Sequence, residues 1–343
     1  MNDAENLSKL LGHLPPAVFS EFMVSEFDLA MPELSAKQAE REQRAAMDNV
    51  LAALAVSERQ PMEEVAERVV LLSDGAGQDV IEGFRDDIFD DADRETFAAI
   101  RNQYERALWL YRHEPAVFKE ALDARQADVF RQSRSCYSGF MAPKGLSIKD
   151  DEASRVEFHQ TVAEHLGCAV DAVAVQIFRR LRPDSQTGED VALYQVSIHH
   201  NRPPEIIDCV QDSELFGQEV IRAVSSHVTY EPAHGHLEVL TKDTDGRETL
   251  ARIVADALLQ SPISGEKIPL KQYDYQSLAA PRNFDLAGEN VAFVKVVELG
   301  YAGSNHRSLL VKIWSTDAED IHAAARALIS CQGRSESHLN LAV

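Results

Sequence analysis

The stretch His227–Leu259, with the sequence HVTYEPAHGHLEVLTKDTDGRETLARIVADALL, decides the fold of the second half of the chain. Polar and apolar residues alternate on both sides of the turn sequence at 232–235, which predicts two antiparallel strands. Asp245 is the predicted N-cap of the helix that follows, with Glu248 as its capping-box partner. The stretch therefore predicts a ββα unit, whose helix repeats apolar residues at helical spacing: Leu250, Ile253, Val254, Ala257 and Leu258.

The same alternation between strands and helices continues on either side of this unit. A helix is predicted over 151–166, and strands over 170–181, 191–200, 291–299 and 308–315. A last helix is predicted over 318–329, which gives a second ββα pattern about 70 residues after the first. The pattern suits a duplicated unit, and a general preference for strand-then-helix order would produce it as well. The second half is predicted to form an antiparallel or mixed sheet with helices on one face, an α+β domain.

Residues before this region carry only helical periodicity. The longest predicted helix spans 34–56 with Ser35 as its cap, Pro61 opens the next, and Asp91 or Asp93 caps another that runs to near Pro115. We therefore predict an α+β protein with an N-terminal all-helical bundle followed by a sheet domain built of ββα-like units. The predicted boundaries are an acidic helical domain at 1–135, a linker at 136–150 and the α+β domain at 151–343.

The composition is globular, with 45% hydrophobic and 26% charged residues, and the formal net charge is -22. This charge disfavours nucleic acids and anionic membranes as partners, because both are bound by Lys and Arg. No apolar run is long enough for a membrane span, and the N-terminus lacks the features of a signal peptide. The four cysteines have no paired spacing, so we expect a reducing, cytoplasmic location without membrane attachment.

Histidines in the central stretch suggest a metal site. His234 and His236 are two residues apart, and His227 lies on the preceding strand. Residues at i and i+2 of a strand share a face, so these side chains, with Glu231 or Glu238, would suit zinc or iron. The alternative is a polar hairpin tip with exposed imidazoles. A metal is accordingly the one cofactor that the sequence suggests, and no cofactor is identified.

Arg106 and His113 are separated by six residues at the end of a predicted helix. This spacing resembles the Arg-x4-6-His motif of HEPN ribonucleases, in which the pair acts on RNA at a dimer interface. Ala107 follows the arginine where those enzymes commonly have a polar residue. The alternative is that Arg106 is a solvated helix charge and that His113 is favoured by the dipole at the helix C-terminus.

Other candidate residues suggest binding. Tyr104, Trp109 and Tyr111 are residue types common in interface hot spots, although they would equally fill the core of a helical bundle. Asp86, Asp87, Asp90, Asp91 and Asp93 lack the pattern of a calcium loop and suit a solvated helix cap. Arg179, Arg180 and Arg182 are expected to pair with the acidic helical half.

Nucleotide-binding loops, a GxSxG elbow and kinase motifs are absent from the sequence. We therefore predict a non-catalytic cytoplasmic adaptor or regulatory protein that acts through contacts with a protein partner. It would be of the kind encoded beside bacterial defence or mobile-element genes, although no motif carries this last expectation. The alternatives are an enzyme, either a metal-dependent hydrolase using the His227–His236 region or a HEPN-like ribonuclease, and an acidic mimic of nucleic acid.

Overall fold

A computed structural model describes most of the chain, namely residues 5–35, 37–84, 91–183, 190–211, 214–264, 267–268, 298–303, 310–314 and 339–342. The chain divides into two compact units, Met1–Leu270 and Lys271–Val343. Within the described residues, no helix has the length and apolar character that a membrane crossing requires. The predicted α+β class is confirmed, because helices come first and an antiparallel sheet follows.

The first unit begins with a series of helices that pack around one apolar core. Buried side chains from most of these helices form this core, among them Leu10, Phe22, Met47, Leu72 and Phe118. The helices are α1 (Glu5–His13), α2 (Pro16–Phe27), α3 (Glu40–Ala53), α4 (Val56–Leu72), α5 (Gly75–Glu82), α6 (Asp91–Ala99), α7 (Gln103–His113) and α8 (Pro115–Arg131).

Helix boundaries differ from the predicted ones where polar side chains and prolines act locally. The Ser35 hydroxyl accepts a hydrogen bond from the backbone of Lys37 and so stabilises a turn, and α3 begins later, after Ala39. Pro61 lies inside α4 and does not open a helix. The helix predicted to run from Asp91 or Asp93 towards Pro115 is divided in two, because the Asn102 side chain accepts hydrogen bonds from two backbone N–H groups and caps α7.

Six strands of the first unit form one antiparallel sheet in the order β2-β3-β6-β7-β1-β8. Their bounds are β1 (Tyr137–Met141), β2 (Val173–Pro183), β3 (Asp190–Asn201), β6 (Ala223–Glu231), β7 (His236–Leu240) and β8 (Lys267–Ile268). Between β3 and β6, strands β4 (Glu205–Gln211) and β5 (Glu214–Val220) pair with each other in a separate two-stranded sheet.

The predicted hairpin and helix of the central stretch are present. β6 and β7 pair so that Glu231 lies opposite His236, and Gly235 in the turn adopts a φ of 74°, a value that favours glycine. Helix α10 (Arg247–Val254) follows and continues as a π-helical turn over Ala255–Leu259. Its N-cap is Gly246, without a side-chain hydrogen bond, and not the predicted Asp245, whose carboxylate accepts the Thr244 hydroxyl at 3.3 Å instead.

Apolar side chains on one face of the sheet pack against α10 and α9 (Glu152–Leu166). The buried residues of this second core include Phe158 and Val162 of α9 and Leu250 and Val254 of α10. From the strands, the core receives Val196, Ile198, Val228, Tyr230, Leu237 and Val239.

Strand β1 lies within the stretch 136–150 where the linker is predicted. Its sequence has a glycine at the centre and no alternation, so it gives no strand signal. A Cβ atom on Gly139 would lie 2.7 Å from the carbonyl oxygen of Ile268, which explains the glycine at this close approach of β8. The helical bundle and the sheet also touch directly, since Phe84 packs on Phe178 of β2 with ring centroids 5.7 Å apart.

The second unit contains a three-stranded antiparallel sheet in the order β10-β9-β11. Its strands are β9 (Glu298–Gly303), β10 (Leu310–Trp314) and β11 (Leu339–Ala342). Two of them overlap the strands predicted over 291–299 and 308–315. The helix predicted over 318–329 lies outside the described residues, so the duplicated ββα unit stays a prediction.

Candidate functional sites

The second face of the six-stranded sheet is buried and mostly polar, and it also carries the apolar side chains of Phe178, Leu193 and Leu240. Side chains alternate along each strand, so the residues between the apolar ones all point to this face. Helix α8 lies over it and bonds several of them. The buried polar side chains of this face are Arg180, Gln195, Ser197, His227, Thr229, Glu231 and Glu238.

Arg180 holds α8 to the sheet. Its side chain is 1% exposed, and it donates two hydrogen bonds to the Asp128 carboxylate, at 3.1 and 2.6 Å, and one to Gln195 at 3.0 Å. Burial lowers the pKa of the guanidinium, against the attraction of Asp128. Of the three arginines expected to pair with the helical half, Arg179, Arg180 and Arg182, the prediction is confirmed for Arg180. Arg182 instead pairs within the sheet, with Glu231 and Glu238.

Glu238 is the centre of a second buried group of charges. It accepts hydrogen bonds from Arg131 of α8 at 2.9 and 3.0 Å, from Arg182 at 3.1 Å and from Thr229 at 3.1 Å. Burial by itself would raise the pKa of this carboxyl group. The two arginines outweigh burial and hold the pKa below its ordinary value, so Glu238 is ionised near neutral pH.

His227 uses both of its ring nitrogens within the protein. Nδ1 lies 2.9 Å from the Ser197 hydroxyl, and Nε2 lies 3.0 Å from the amide oxygen of Gln126 on α8. Burial lowers the pKa of this imidazole to about 4, so the ring is neutral at physiological pH. His227 is therefore a bridge between the sheet and α8.

A relay of three side chains runs from α8 to the edge of the polar face. The Asp123 carboxylate lies 3.1 Å from Nε2 of His199, and Nδ1 of His199 lies 2.9 Å from the Ser225 hydroxyl. The hydrogen bond to Asp123 raises the pKa of His199 despite partial burial. The His199 ring thus links the Asp123 carboxylate of α8 to the Ser225 hydroxyl of β6.

Ser225 opens onto a cleft of about 440 Å³. The cleft lies between α8, α9, strands β3 and β6, and the segment that joins β7 to α10. Arg202 and Lys242 line it, together with His165 and His200, and Asp243 is the carboxylate among the lining residues. Apolar side chains complete the lining: Phe130, Val162, Leu166, Ile198 and Leu250.

The three histidines considered for a metal site lie in two places. His227 is opposite Leu240, whereas His236 is opposite Glu231, four residues further along β6 and about 13 Å away at strand spacing. His234 and His236 are close, with ring centroids 5.6 Å apart, and His234 bonds Glu231. Among the described residues, no three His, Cys, Asp or Glu side chains are grouped to hold a metal ion.

Arg106 and His113 lie two turns apart on α7 and have separate partners. The Arg106 guanidinium pairs with Glu82 and lies 4.5 Å above the Phe97 ring. His113 stacks on Trp109 at 4.6 Å, and its Nδ1 lies 2.9 Å from the Trp109 carbonyl oxygen at the helix end. Arg106 thus has the contacts of a residue on a helix surface, and His113 has those of a residue at a helix C-terminus.

The three aromatic residues proposed as a binding surface are partly buried against the bundle core. Tyr104 stacks on His13 at 4.3 Å, and Trp109 packs on Phe97 at 5.5 Å. Tyr111 packs edge-on against Phe22 and donates a hydrogen bond of 2.6 Å to Glu26, and burial raises its pKa to about 12. The side chains therefore join helices of the bundle to one another.

The β4–β5 hairpin presents apolar side chains to solvent. Ile206, Val210 and Leu215 are 75%, 72% and 74% exposed. The register places Val210 opposite Leu215 and Ile206 opposite Glu219, so all three share one face. The sequence signal for this hairpin is a pair of strand-like runs, 205–211 and 214–220, on either side of Asp212 and Ser213.

The fold and these sites define an α+β protein in which one helix of a bundle covers a polar sheet face, beside a cleft and an exposed hairpin. Comparison with protein-family models and with curated proteins finds no match to the chain.

Three of the five aspartates in the acidic run between 86 and 93, namely Asp86, Asp87 and Asp90, lie outside the described residues.

Proposed function

We propose that this protein acts by binding a protein partner, and that the β4–β5 hairpin is the binding element. The observation that carries the proposal is the exposure of Ile206, Val210 and Leu215 on one face. A two-stranded hairpin is marginally stable in water by itself, and a cluster of exposed large apolar side chains marks an interaction surface. A partner that covers this face would bury the apolar side chains and order the two strands.

The charge of the hairpin specifies the chemistry of the partner. Residues 205–220 contain five acidic side chains and no Lys or Arg. Acidic side chains stand beside the apolar ones on the exposed face, since Asp208 and Glu219 alternate with Ile206 and Val210 in the paired strands. The partner surface is therefore an apolar groove flanked by Lys and Arg, and charge repulsion disfavours a second copy of this acidic hairpin as the occupant.

The test places a photo-crosslinking amino acid at Val210 in the full chain and exposes it to an extract of the native cell. The crosslinked peptide of the partner is sequenced, and the purified partner is titrated with the wild-type protein. We expect a crosslinked segment in which apolar residues are flanked by Lys or Arg. Leu215→Ser should weaken binding about tenfold or more, as loss of an interface anchor does.

Val156→Ser is the matched control, because Val156 is an exposed apolar residue on α9, away from the hairpin. It should leave the affinity unchanged. A crosslink between two copies of this chain, or binding of the hairpin to neutral lipid vesicles that Leu215→Ser abolishes, would overturn the proposal. Equal losses in both variants would also contradict it.

The location and the cellular role follow as further proposals. Cysteines without paired spacing support a reducing compartment, and we propose the cytoplasm. Membership of an accessory system of bacterial defence or mobile elements stays a prediction, which the identity of the crosslinked partner would test.

A further inference from the structure

The cleft beside Ser225 has an unusual charge for this protein. The chain carries a formal net charge of -22, yet the cleft is lined by Arg202 and Lys242 against the one carboxylate of Asp243. Neither of the two basic side chains forms an ion pair within the described part of the chain. Asp243 is partly satisfied, since it accepts the backbone N–H of Asp245 at 3.1 Å.

The wall of the cleft contains the hydroxyl groups of Thr241 and Ser225. Thr241 Oγ1 already accepts hydrogen bonds from the Ser226 hydroxyl at 2.8 Å and from the backbone N–H of Asp243 at 3.3 Å. Its own hydrogen therefore remains to be donated. The Ser225 hydroxyl oxygen lies 2.9 Å from Nδ1 of His199. Both residues line the cleft, and the Thr241 hydroxyl offers a donor to an acceptor within it.

We propose that this cleft binds the phosphate group of a small organic phosphate. Two cations at the rim and hydroxyl groups in the wall are the groups that bind a phosphate through charge-assisted hydrogen bonds. The volume of about 440 Å³ exceeds what an inorganic anion fills and lies in the range of small-molecule sites. Phe130 and Leu250 among the lining residues provide an apolar surface for the organic part.

This site is independent of the hairpin. Arg202 and Ser225 flank the hairpin in sequence, but the exposed face of Ile206, Val210 and Leu215 contributes no lining residue to the cleft. The proposed phosphate site can therefore be tested independently of the proposed protein partner. Loss of ligand binding in a cleft variant should leave crosslinking through Val210 intact.

Isothermal titration calorimetry of the full chain at low salt tests the proposal with three probes: AMP, adenosine and inorganic phosphate. We expect AMP and phosphate to bind and adenosine not to bind. Arg202→Gln and Lys242→Gln should each weaken AMP binding about tenfold, the effect of losing one charge-assisted hydrogen bond.

Arg252→Gln is the matched control, since Arg252 is an exposed arginine on α10 that pairs with Glu248 outside the cleft. It should leave AMP binding unchanged, and all variants should keep the thermal midpoint of the wild type. Adenosine binding as tightly as AMP would overturn the proposal, as would an equal loss in Arg252→Gln. An absence of binding by both AMP and phosphate would overturn it as well.

Discussion

The two faces of the six-stranded sheet are made by the same strands, but their buried side chains are stabilised in different ways. On β3, Val196 and Ile198 point into the apolar core under α9 and α10, whereas Gln195 and Ser197 point to the polar face under α8. All four side chains are buried. The apolar face is stabilised in proportion to the apolar surface area it buries, and this effect does not depend on the orientation of the side chains. The polar face is stabilised only when each buried polar group forms its hydrogen bond.

The two faces therefore have different roles: the apolar face stabilises the fold, and the polar face positions helix α8. An apolar layer tolerates small displacements, because dispersion and the hydrophobic effect are not directional. Asp128, Gln126 and Arg131 of α8 must each meet a particular side chain of the sheet. We infer that the polar face fixes the position of α8, and that it thereby fixes the relay and the cleft wall that α8 completes.

The largest expected effect comes from Asp128→Ala, which breaks the polar face. It leaves the Arg180 guanidinium buried without its carboxylate, and loss of one partner of a buried ion pair costs about 3–5 kcal/mol. Chemical denaturation measures the free energy of unfolding. Glu21→Ala is the control, because its pair with Arg112 is exposed and should contribute less than about 1 kcal/mol.

The double variant Asp128→Ala/Arg180→Met sharpens this test. Replacing the unpaired guanidinium by an apolar side chain removes the uncompensated charge, so much of the lost stability should return. An equal or larger loss in the double variant would show that the pair acts through packing, and would contradict the role assigned to it.

A smaller loss, about 2–5 kcal/mol, is expected for Leu237→Ala on the apolar face. Leu237 is fully buried in the core beneath α10, and the substitution removes contacts and leaves a cavity. No substitution of a polar partner should rescue it, in contrast to Asp128→Ala. Val156→Ala at an exposed position of α9 should change the free energy of unfolding by less than about 0.5 kcal/mol. A loss below 1 kcal/mol for Leu237→Ala would contradict the assigned core.

The sequence was sufficient to predict the apolar face and insufficient for the polar one. Alternation in the central stretch predicts β6, β7 and α10, and the structure confirms them. The same alternation describes a polar face in water and a polar face under a helix, because only the partner layer distinguishes them. The sequence therefore suggests His227 and Glu238 as metal ligands, whereas their partners in the structure are residues of α8 and β2, which are distant in sequence.

Strand β1 cannot be predicted from the sequence, because its residues do not alternate between polar and apolar. Strand β1 has Gly139 at its centre, and its pairing with β7 and β8 depends on tertiary contacts. The cleft was equally unpredictable, because Arg202, Ser225 and Lys242 come from different segments of the chain. In the sequence, each of these residues resembles an ordinary surface or strand residue, and only the fold brings the three to one cleft.

The smallest expected effect is a difference in pH dependence between two neighbouring histidines of the polar face. Burial lowers the pKa of His227 from 6.5 to about 4 in the folded protein, so the unfolded chain takes up a proton first as the pH falls. Stability should therefore decline between pH 6.5 and pH 4, by no more than roughly 3 kcal/mol for this group. His227→Gln should flatten this part of the curve of unfolding free energy against pH.

His199 should show the opposite sign, which makes His199→Gln the matched variant. Asp123 raises the pKa of His199, so its contribution is fully present below the ordinary value of 6.5 and is lost as the pH rises through the raised folded value. The variant should be most destabilised at low pH, where the wild-type imidazolium pairs with Asp123. Because the two rings lie 6.2 Å apart under one helix, a shared sign in both variants would mean that α8 does not cover the face as described.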